Sequence, residues 1–158
     1  MKRSNLITQE GATRLRNELS DLWKNQRPEV TKAITAAAAE GDRSENAEYI
    51  YRKKQLRAMD WRIRYLQKRT SEMKVIEHLP PDKTKIFFGA IVYLEDEEGN
   101  HFFHRIVGSD EFDFKPHYIS VDSPLAKALL KKQIDDEVTI HIPNGKKCYF
   151  INDIKYQS

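Results

Sequence analysis

The sequence predicts an α+β protein in which a long antiparallel α-helical coiled-coil hairpin precedes a small antiparallel β-sheet with one short helix. Apolar residues recur every three or four positions in the first half of the chain and every second position in the second half. The helical pattern stops at Pro80 and Pro81. We therefore expect a helical finger over residues 1–78 and a globular domain over residues 79–158.

The first helix is predicted to begin after Thr8, which is a favourable N-cap residue. Its apolar face is expected to consist of Leu15, Leu19, Leu22, Gln26, Val30, Ala33 and Ala37. Pro28 lies within this pattern and has no N–H to donate. It predicts either a kink or a local break after which Pro28 occupies the first turn of the continuing helix.

The second helix follows a break at Gly41. Its seam is predicted to contain Tyr49, Leu56, Met59, Ile63, Leu66, Thr70 and Met73. A short connection and one narrow seam on each helix favour an antiparallel two-stranded coiled coil. A helix of about thirty residues would form a rod on the order of 40 Å long.

The second half is predicted to be mostly strands. One hairpin is expected to turn at residues 98–100 and another at Asn144 and Gly145, with a short strand at residues 117–121. Between them, Ser123 is a predicted N-cap and Pro124 the first residue of a short helix.

The composition is that of a foldable protein, with 39% hydrophobic residues in 158. The single cysteine, Cys148, excludes an internal disulfide, and no apolar stretch is long enough for a signal peptide or a membrane span. We expect a cytoplasmic protein that has no membrane partner. Residues 1–82 carry 17 lysines and arginines against 12 acids, and residues 83–158 carry 10 against 12. A basic binding surface is therefore expected in the first half.

Two acids, Asp42 and Glu45, lie at the predicted hairpin tip. They fit a capping box, with Asp42 as N-cap and Glu45 at the third helical position. They also fit a site for a hard cation such as Mg²⁺, because residues three apart share a helix face. Two exposed carboxylates near a positive helix N-terminus form a weak site. Metal binding would therefore need ligands from another macromolecule.

A basic run follows the tip and contains a single acid, Asp60. Its members are Arg52, Lys53, Lys54, Arg57, Arg62, Arg64, Lys68 and Arg69. Helical spacing places Lys53, Lys54, Arg57, Arg64 and Lys68 on one stripe opposite the seam and Arg52 nearer to it. A solvated coiled-coil flank is the alternative, but such flanks usually alternate in sign. The imbalance favours a surface that faces phosphates.

The motifs together resemble the bacterial Gre transcript-cleavage factors, and the GreB branch in particular. The resemblance is carried by GDRSENAEY, RPEV, YRKKQLR, FFGA, RIVG, YIS and DSPLAKALLKK, which span nearly the whole chain. It implies a coiled-coil finger and an FKBP-like globular domain. It also implies a transcription elongation factor that is not itself an enzyme and has no small-molecule substrate.

The resemblance implies that the finger enters the secondary channel of bacterial RNA polymerase and stimulates cleavage of the backtracked nascent RNA near its 3′ end. Asp42 and Glu45 would help to hold a catalytic Mg²⁺ shared with the polymerase and bound only in that complex. Ser44 and Asn46 would support the tip. Guidance of the RNA would fall to Arg52, Lys53, Lys54 and Arg57, and docking on the polymerase to Asp122, Ser123 and Pro124.

Two other functions fit parts of the sequence. A regulator could occupy the same channel without promoting cleavage, although Asp42 and Glu45 argue against that. An FKBP-like fold also occurs in prolyl isomerases, but fold alone is a poor guide to activity, and the sequence shows no evident apolar ligand pocket.

Overall fold

The structure is a computed structural model that describes residues 3–41 and 46–157. The chain forms two compact units, one of Met1–Gly11 with Lys74–Ser158 and the other of Ala12–Met73. Strand β1 (Leu6–Thr8) pairs in parallel with β2 (Lys74–Ile76), and this pairing joins residues 1–11 to the second half of the chain. The helical unit therefore begins at Ala12 and ends at Met73, whereas the sequence predicted a helical finger over residues 1–78.

The helical unit is the predicted antiparallel hairpin. Its first arm consists of α1 (Gln9–Asp21), a π-helical segment (Leu22–Gln26) and α2 (Arg27–Ala38), and its second arm is α3 (Ala47–Glu72). The apolar seam between the arms is buried at Leu15, Leu22, Val30, Ala37, Met59, Ile63 and Leu66.

Two ion pairs cross the hairpin and fix its antiparallel register. Arg62 donates to both carboxylate oxygens of Glu18, at 2.6 and 2.9 Å, and Arg27 Nε donates to Asp60 Oδ1 at 2.8 Å. The hydrogen bond that Arg27 donates to Asp60, together with the negative charge of Asp60, raises the pKa of Arg27. Partly exposed pairs of this kind stabilise a fold little, so they mainly specify which residues face each other.

The predicted break near Pro28 is the π-helical segment just before it. The N–H of Arg27 bonds to the carbonyl of Leu22, five residues back, so the turn is wider than an α-helical turn. Pro28 then lies in the first turn of α2, as predicted. The extra residue of the wide turn rotates Gln26 away from the seam, so its predicted seam position is wrong. Gln26 is exposed and donates to Asp21 Oδ2 at 2.5 Å.

The sheet of the other unit has the strand order β5-β4-β3-β7-β6. Its hairpins are the predicted ones. The strands are β3 (Ile91–Asp96), β4 (His101–Val107), β5 (Tyr118–Ser120), β6 (Glu137–Ile142) and β7 (Gly145–Lys155). All neighbours are antiparallel except β4 and β5, which are parallel because the chain crosses over between them.

The short helix α4 (Pro124–Leu129) packs its apolar side against the sheet. Ser123 Oγ accepts a hydrogen bond from the N–H of Ala126 at 3.2 Å, which confirms the predicted cap. The core combines this helix with the inner face of the strands and the segments that flank them. Its buried members are Ile86, Ala90, Val92, Leu94, Ile106, Val121, Ala126, Leu129, Val138, Ile151 and Ile154.

Glu111 joins the first strand to the sheet from a buried position, with 1% of its surface exposed. Its Oε2 accepts from the N–H groups of Thr8 and Gly108, each at 2.8 Å, and Oε1 accepts from the Thr8 hydroxyl. Thr8 Oγ1 in turn accepts from the N–H of Gly11 at 3.0 Å, which confirms the predicted N-cap. A Cβ at Gly11 would overlap the carboxylate, and one at Gly108 would overlap the carbonyl of Leu6.

We predict that Glu111→Ala lowers the free energy of unfolding by about 3 kcal/mol, because it leaves buried N–H groups without an acceptor and opens a cavity. Glu111→Gln retains one oxygen and should cost less. Urea unfolding of the whole chain measures both changes. The exposed Glu97→Ala should shift the free energy by less than about 0.5 kcal/mol. Equal stability of Glu111→Ala and Glu97→Ala would show that the buried carboxylate has no anchoring role.

Candidate functional site at the hairpin tip

The two predicted metal ligands, Asp42 and Glu45, lie outside the described residues, as does Ser44. The structure does describe the helix ends on both sides. Helix α3 begins at Ala47 and its N-cap is Asn46. The capping-box interpretation concerns Asp42 and Glu45, and it therefore also lies outside the described residues.

Asn46 bonds to both arms of the hairpin. Its Oδ1 accepts from the N–H of Tyr49 at 3.1 Å, within the first turn of α3. Its Nδ2 donates to the carbonyl of Ala37 at 2.7 Å, within the last turn of α2. Free N–H groups at a helix start and free carbonyls at a helix end both need partners. The Asn46 side chain thus satisfies one free N–H of α3 and gives a second donor to the Ala37 carbonyl, which also accepts from the N–H of Glu40. It bonds to both of the helix ends between which the tip runs.

The first arm ends just before Gly41. The N–H of Glu40 bonds to the carbonyl of Ala37 at 3.2 Å, which tightens the last turn. Gly41 has a φ of +127° and open space around it. This backbone conformation strains any residue with a side chain, which explains a glycine where the chain leaves the helix.

A metal site at the tip would be incomplete within this chain. Across residues 3–41 and 46–157, no group of three or more His, Cys, Asp or Glu side chains is placed to hold an ion. Asp42 and Glu45 supply carboxylate oxygens, which are suitable donors for Mg²⁺. Two carboxylates leave most of the coordination positions to water or to another molecule, so the donor set fits a shared ion.

The eight basic residues behind the tip separate into two sets. In the first set each side chain is already engaged. Arg52 Nε bonds to Glu48 at 2.8 Å, Arg62 bonds to Glu18, and Arg69 is only 8% exposed. Arg52 also donates to Gln55 at 3.0 Å. These three cations are therefore less available to an outside anion than the sequence implied.

The second set is the predicted basic stripe, Lys53, Lys54, Arg57, Arg64 and Lys68. All are exposed except Lys53, which is half-buried. No described residue places a carboxylate within ion-pairing distance of any of them. Of this stripe, the predicted RNA-binding residues Lys53, Lys54 and Arg57 are nearest the tip. An unpaired stripe of one sign is suited to binding a polyanion.

The predicted docking loop lies in the sheet unit, and its three residues differ in availability. Asp122 Oδ2 accepts from the N–H of Ser4 at 2.8 Å, and Ser123 caps α4. Both are half-buried, whereas Pro124 is exposed. Pro124 is therefore the residue of the three that a partner would meet first.

No helix among the described residues is long and apolar enough to cross a membrane.

Models of one protein family match both halves of the chain. The model of the family "Transcription elongation factor, N-terminal" matches residues 5–75, and that of "Transcription elongation factor, GreA/GreB, C-term" matches residues 81–156. A solved structure of Gfh1 from Thermus aquaticus is 26% identical, with a TM-score of 0.45, over 97% of this chain and 99% of that one. This TM-score is too low to support a structural inference.

Two relatives are similar over nearly their whole length. Transcription elongation factor GreB of Pseudomonas aeruginosa is 54% identical over 96% of this chain and 90% of that protein. Transcription elongation factor GreB of Xanthomonas axonopodis is 54% identical over 99% of this chain and 94% of that protein. The chain belongs to the GreA/GreB family of transcription elongation factors, and within it is similar to the GreB type.

Proposed function

We propose that this chain binds bacterial RNA polymerase, inserts its helical hairpin into the secondary channel and stimulates hydrolysis of backtracked nascent RNA. The observation that carries the proposal is the bridge formed by Asn46 between α2 and α3. It holds together the two ends of the short segment that contains Asp42 and Glu45. The relatives supply the context of transcription elongation. The factor acts as an accessory to the polymerase and is not an enzyme itself.

The chemistry divides between the two proteins. Asp42 and Glu45 would hold one Mg²⁺ together with ligands of the polymerase and would orient the attacking water. When bound, this ion lowers the pKa of water and stabilises charge that develops on the phosphate oxygens. Helix α3 points its positive N-terminal end at the tip, which opposes a cation. The free chain would therefore bind the ion poorly, and cleavage would require the complex.

The basic stripe would guide the extruded RNA. Within this stripe, Lys53, Lys54 and Arg57 lie nearest the tip and would contact the phosphates of the RNA. Arg52 contributes less in this proposal because Glu48 already holds its guanidinium at 2.8 Å. Docking on the polymerase would use the loop of Asp122, Ser123 and Pro124, with Pro124 as the exposed contact.

We predict that Asp42→Asn and Glu45→Gln each reduce stimulated cleavage at least about 100-fold, because loss of one metal ligand removes several kcal/mol of transition-state stabilisation. Binding to polymerase should be unchanged. The readout is release of 3′ RNA fragments from a stalled, backtracked complex. Glu40→Gln, an exposed acid before the tip, is the matched control and should remain fully active. Full activity in both tip variants would favour the regulator that binds without cleavage.

Asn46 provides a second prediction, because its two hydrogen bonds can be removed separately. Asn46→Asp and Asn46→Ser keep an oxygen that caps α3 but lose the donor to Ala37. Both should retain thermal stability and polymerase binding, yet reduce cleavage about tenfold through loss of tip positioning. Asn46→Ala loses the cap as well and should also cost about 1 kcal/mol of stability.

The use of both Asp and Ser separates loss of the donor from the added charge of Asp. Full cleavage by both variants, with an effect of Asn46→Ala on stability alone, would restrict Asn46 to a capping role.

The docking loop gives a third prediction. Pro124→Ala should weaken polymerase binding about tenfold, since it removes an exposed apolar contact that the proposal places at the interface. Cleavage should recover when the variant is added at saturating concentration. Lys132→Ala, an exposed residue after α4, is the control. Cleavage that stays low at saturation would mean that this loop contributes to more than docking.

A further inference from the structure

Trp61 is a large aromatic residue on α3 that lies outside the core, with 69% of its surface exposed. Its ring is covered on one side by the guanidinium of Arg64, at 5.4 Å from the ring centroid. The seam of the hairpin is formed by other residues. A single exposed aromatic side chain is common on protein surfaces, so an explanation for this one has to come from the residues around it.

The position of Trp61 within the basic stripe supplies one. Lys54, Arg57, Trp61, Arg64 and Lys68 follow one another at intervals of three or four residues and are all exposed. They therefore lie on one face of α3. The indole lies midway along this face, with two cations on each side of it. None of these five positions carries an acidic side chain.

We propose that Trp61 is a base-stacking contact for single-stranded RNA, with the flanking cations holding the phosphates on either side. Aromatic faces within a positively charged track are the common means of binding single strands without sequence preference. Arg64 orients the indole by stacking on it and remains free to contact a phosphate. The inference rests on the proposed function, in which an RNA strand is extruded along the hairpin.

The second tryptophan, Trp23, shows that exposure of an aromatic ring does not by itself indicate RNA binding. It is 55% exposed and has Arg27 over its ring at 5.5 Å. Arg27, however, is bonded to Asp60, so its charge is already compensated. Trp23 therefore has the same side chain and the same kind of arginine contact, but the arginine over its ring is already paired with Asp60. This makes Trp23 the matched control.

The position of Trp61 also sets the length of RNA that can reach it. At about 1.5 Å per residue, Trp61 lies about 21 Å along α3 from Ala47. A stacked strand advances about 3.4 Å per nucleotide, so roughly six nucleotides are needed to span this distance. Shorter extruded segments would end before the indole.

Direct binding can be measured with the free, full-length protein. In a Trp23→Phe background, Trp61 is the remaining tryptophan and reports on its own environment. An oligoadenylate on the order of twelve nucleotides should quench its fluorescence, and Trp61→Ala should weaken binding about tenfold in an anisotropy titration with labelled RNA. Trp23→Ala should leave binding unchanged. Lys54→Gln with Arg57→Gln should flatten the salt dependence of binding, which Trp61→Ala should leave nearly as steep.

Cleavage provides the second readout. Trp61→Ala should slow cleavage in complexes that have extruded more than roughly six nucleotides and spare those with shorter segments. Quenching by RNA supports the inference even if the wild-type chain stimulates no cleavage, so the two claims can fail separately. If Trp61→Ala binds RNA normally and instead loses affinity for polymerase, the indole docks on protein and the inference is overturned. Equal effects of Trp61→Ala and Trp23→Ala on RNA binding would also overturn it.

Discussion

The hydrogen bonds of Asn46 are the constraint on which the tip of the hairpin depends. A helical hairpin ends in two sets of unpaired backbone groups, N–H groups at the start of one helix and carbonyls at the end of the other. Asn46 accepts from the N–H of Tyr49 in the first set and donates to the carbonyl of Ala37, which also accepts from the N–H of Glu40. The end of α2 and the start of α3 are thereby held together across the eight residues, 39–46, that connect them. Any chemistry assigned to Asp42 and Glu45 requires these ends to be fixed, because a shared metal ion tolerates little variation in ligand position.

The arrangement of charge explains how such a tip could act in a complex and remain inactive alone. The N-terminal end of α3 and the unpaired cations behind it create a positive field, which favours RNA phosphates and opposes a metal cation. In the free chain, two carboxylates would have to overcome this field with water as the other ligand. In a polymerase complex, additional anionic ligands and the RNA would reverse the balance. In the proposed function, the factor would supply part of a catalytic site, and its activity would be restricted to arrested complexes.

Much of this could be predicted from the sequence, because periodicity and capping residues act locally. Thr8 and Ser123 cap the helices that their positions predicted, and both strand hairpins turn where glycine and asparagine allow. The parallel pairing of β1 with β2 could not be predicted, because three-residue strands far apart in sequence carry no pattern. The burial of Glu111 could not be predicted either, because its partners, two backbone N–H groups and the Thr8 hydroxyl, form no recognisable sequence pattern. Gln26 left the seam because a π-helical turn adds a residue that a regular helical count ignores.

The most direct test of the central claim is the Mg²⁺ dependence of RNA cleavage in a stalled, backtracked polymerase complex, measured with and without the wild-type protein. We expect the protein to increase release of short 3′ fragments and to lower the Mg²⁺ concentration needed for half-maximal cleavage, because the tip would add ligands for the shared ion. Release of fragments with an unchanged Mg²⁺ dependence would contradict the assignment of Asp42 and Glu45 as ligands. Binding to the complex without any increase in fragments would contradict the proposed function as a whole.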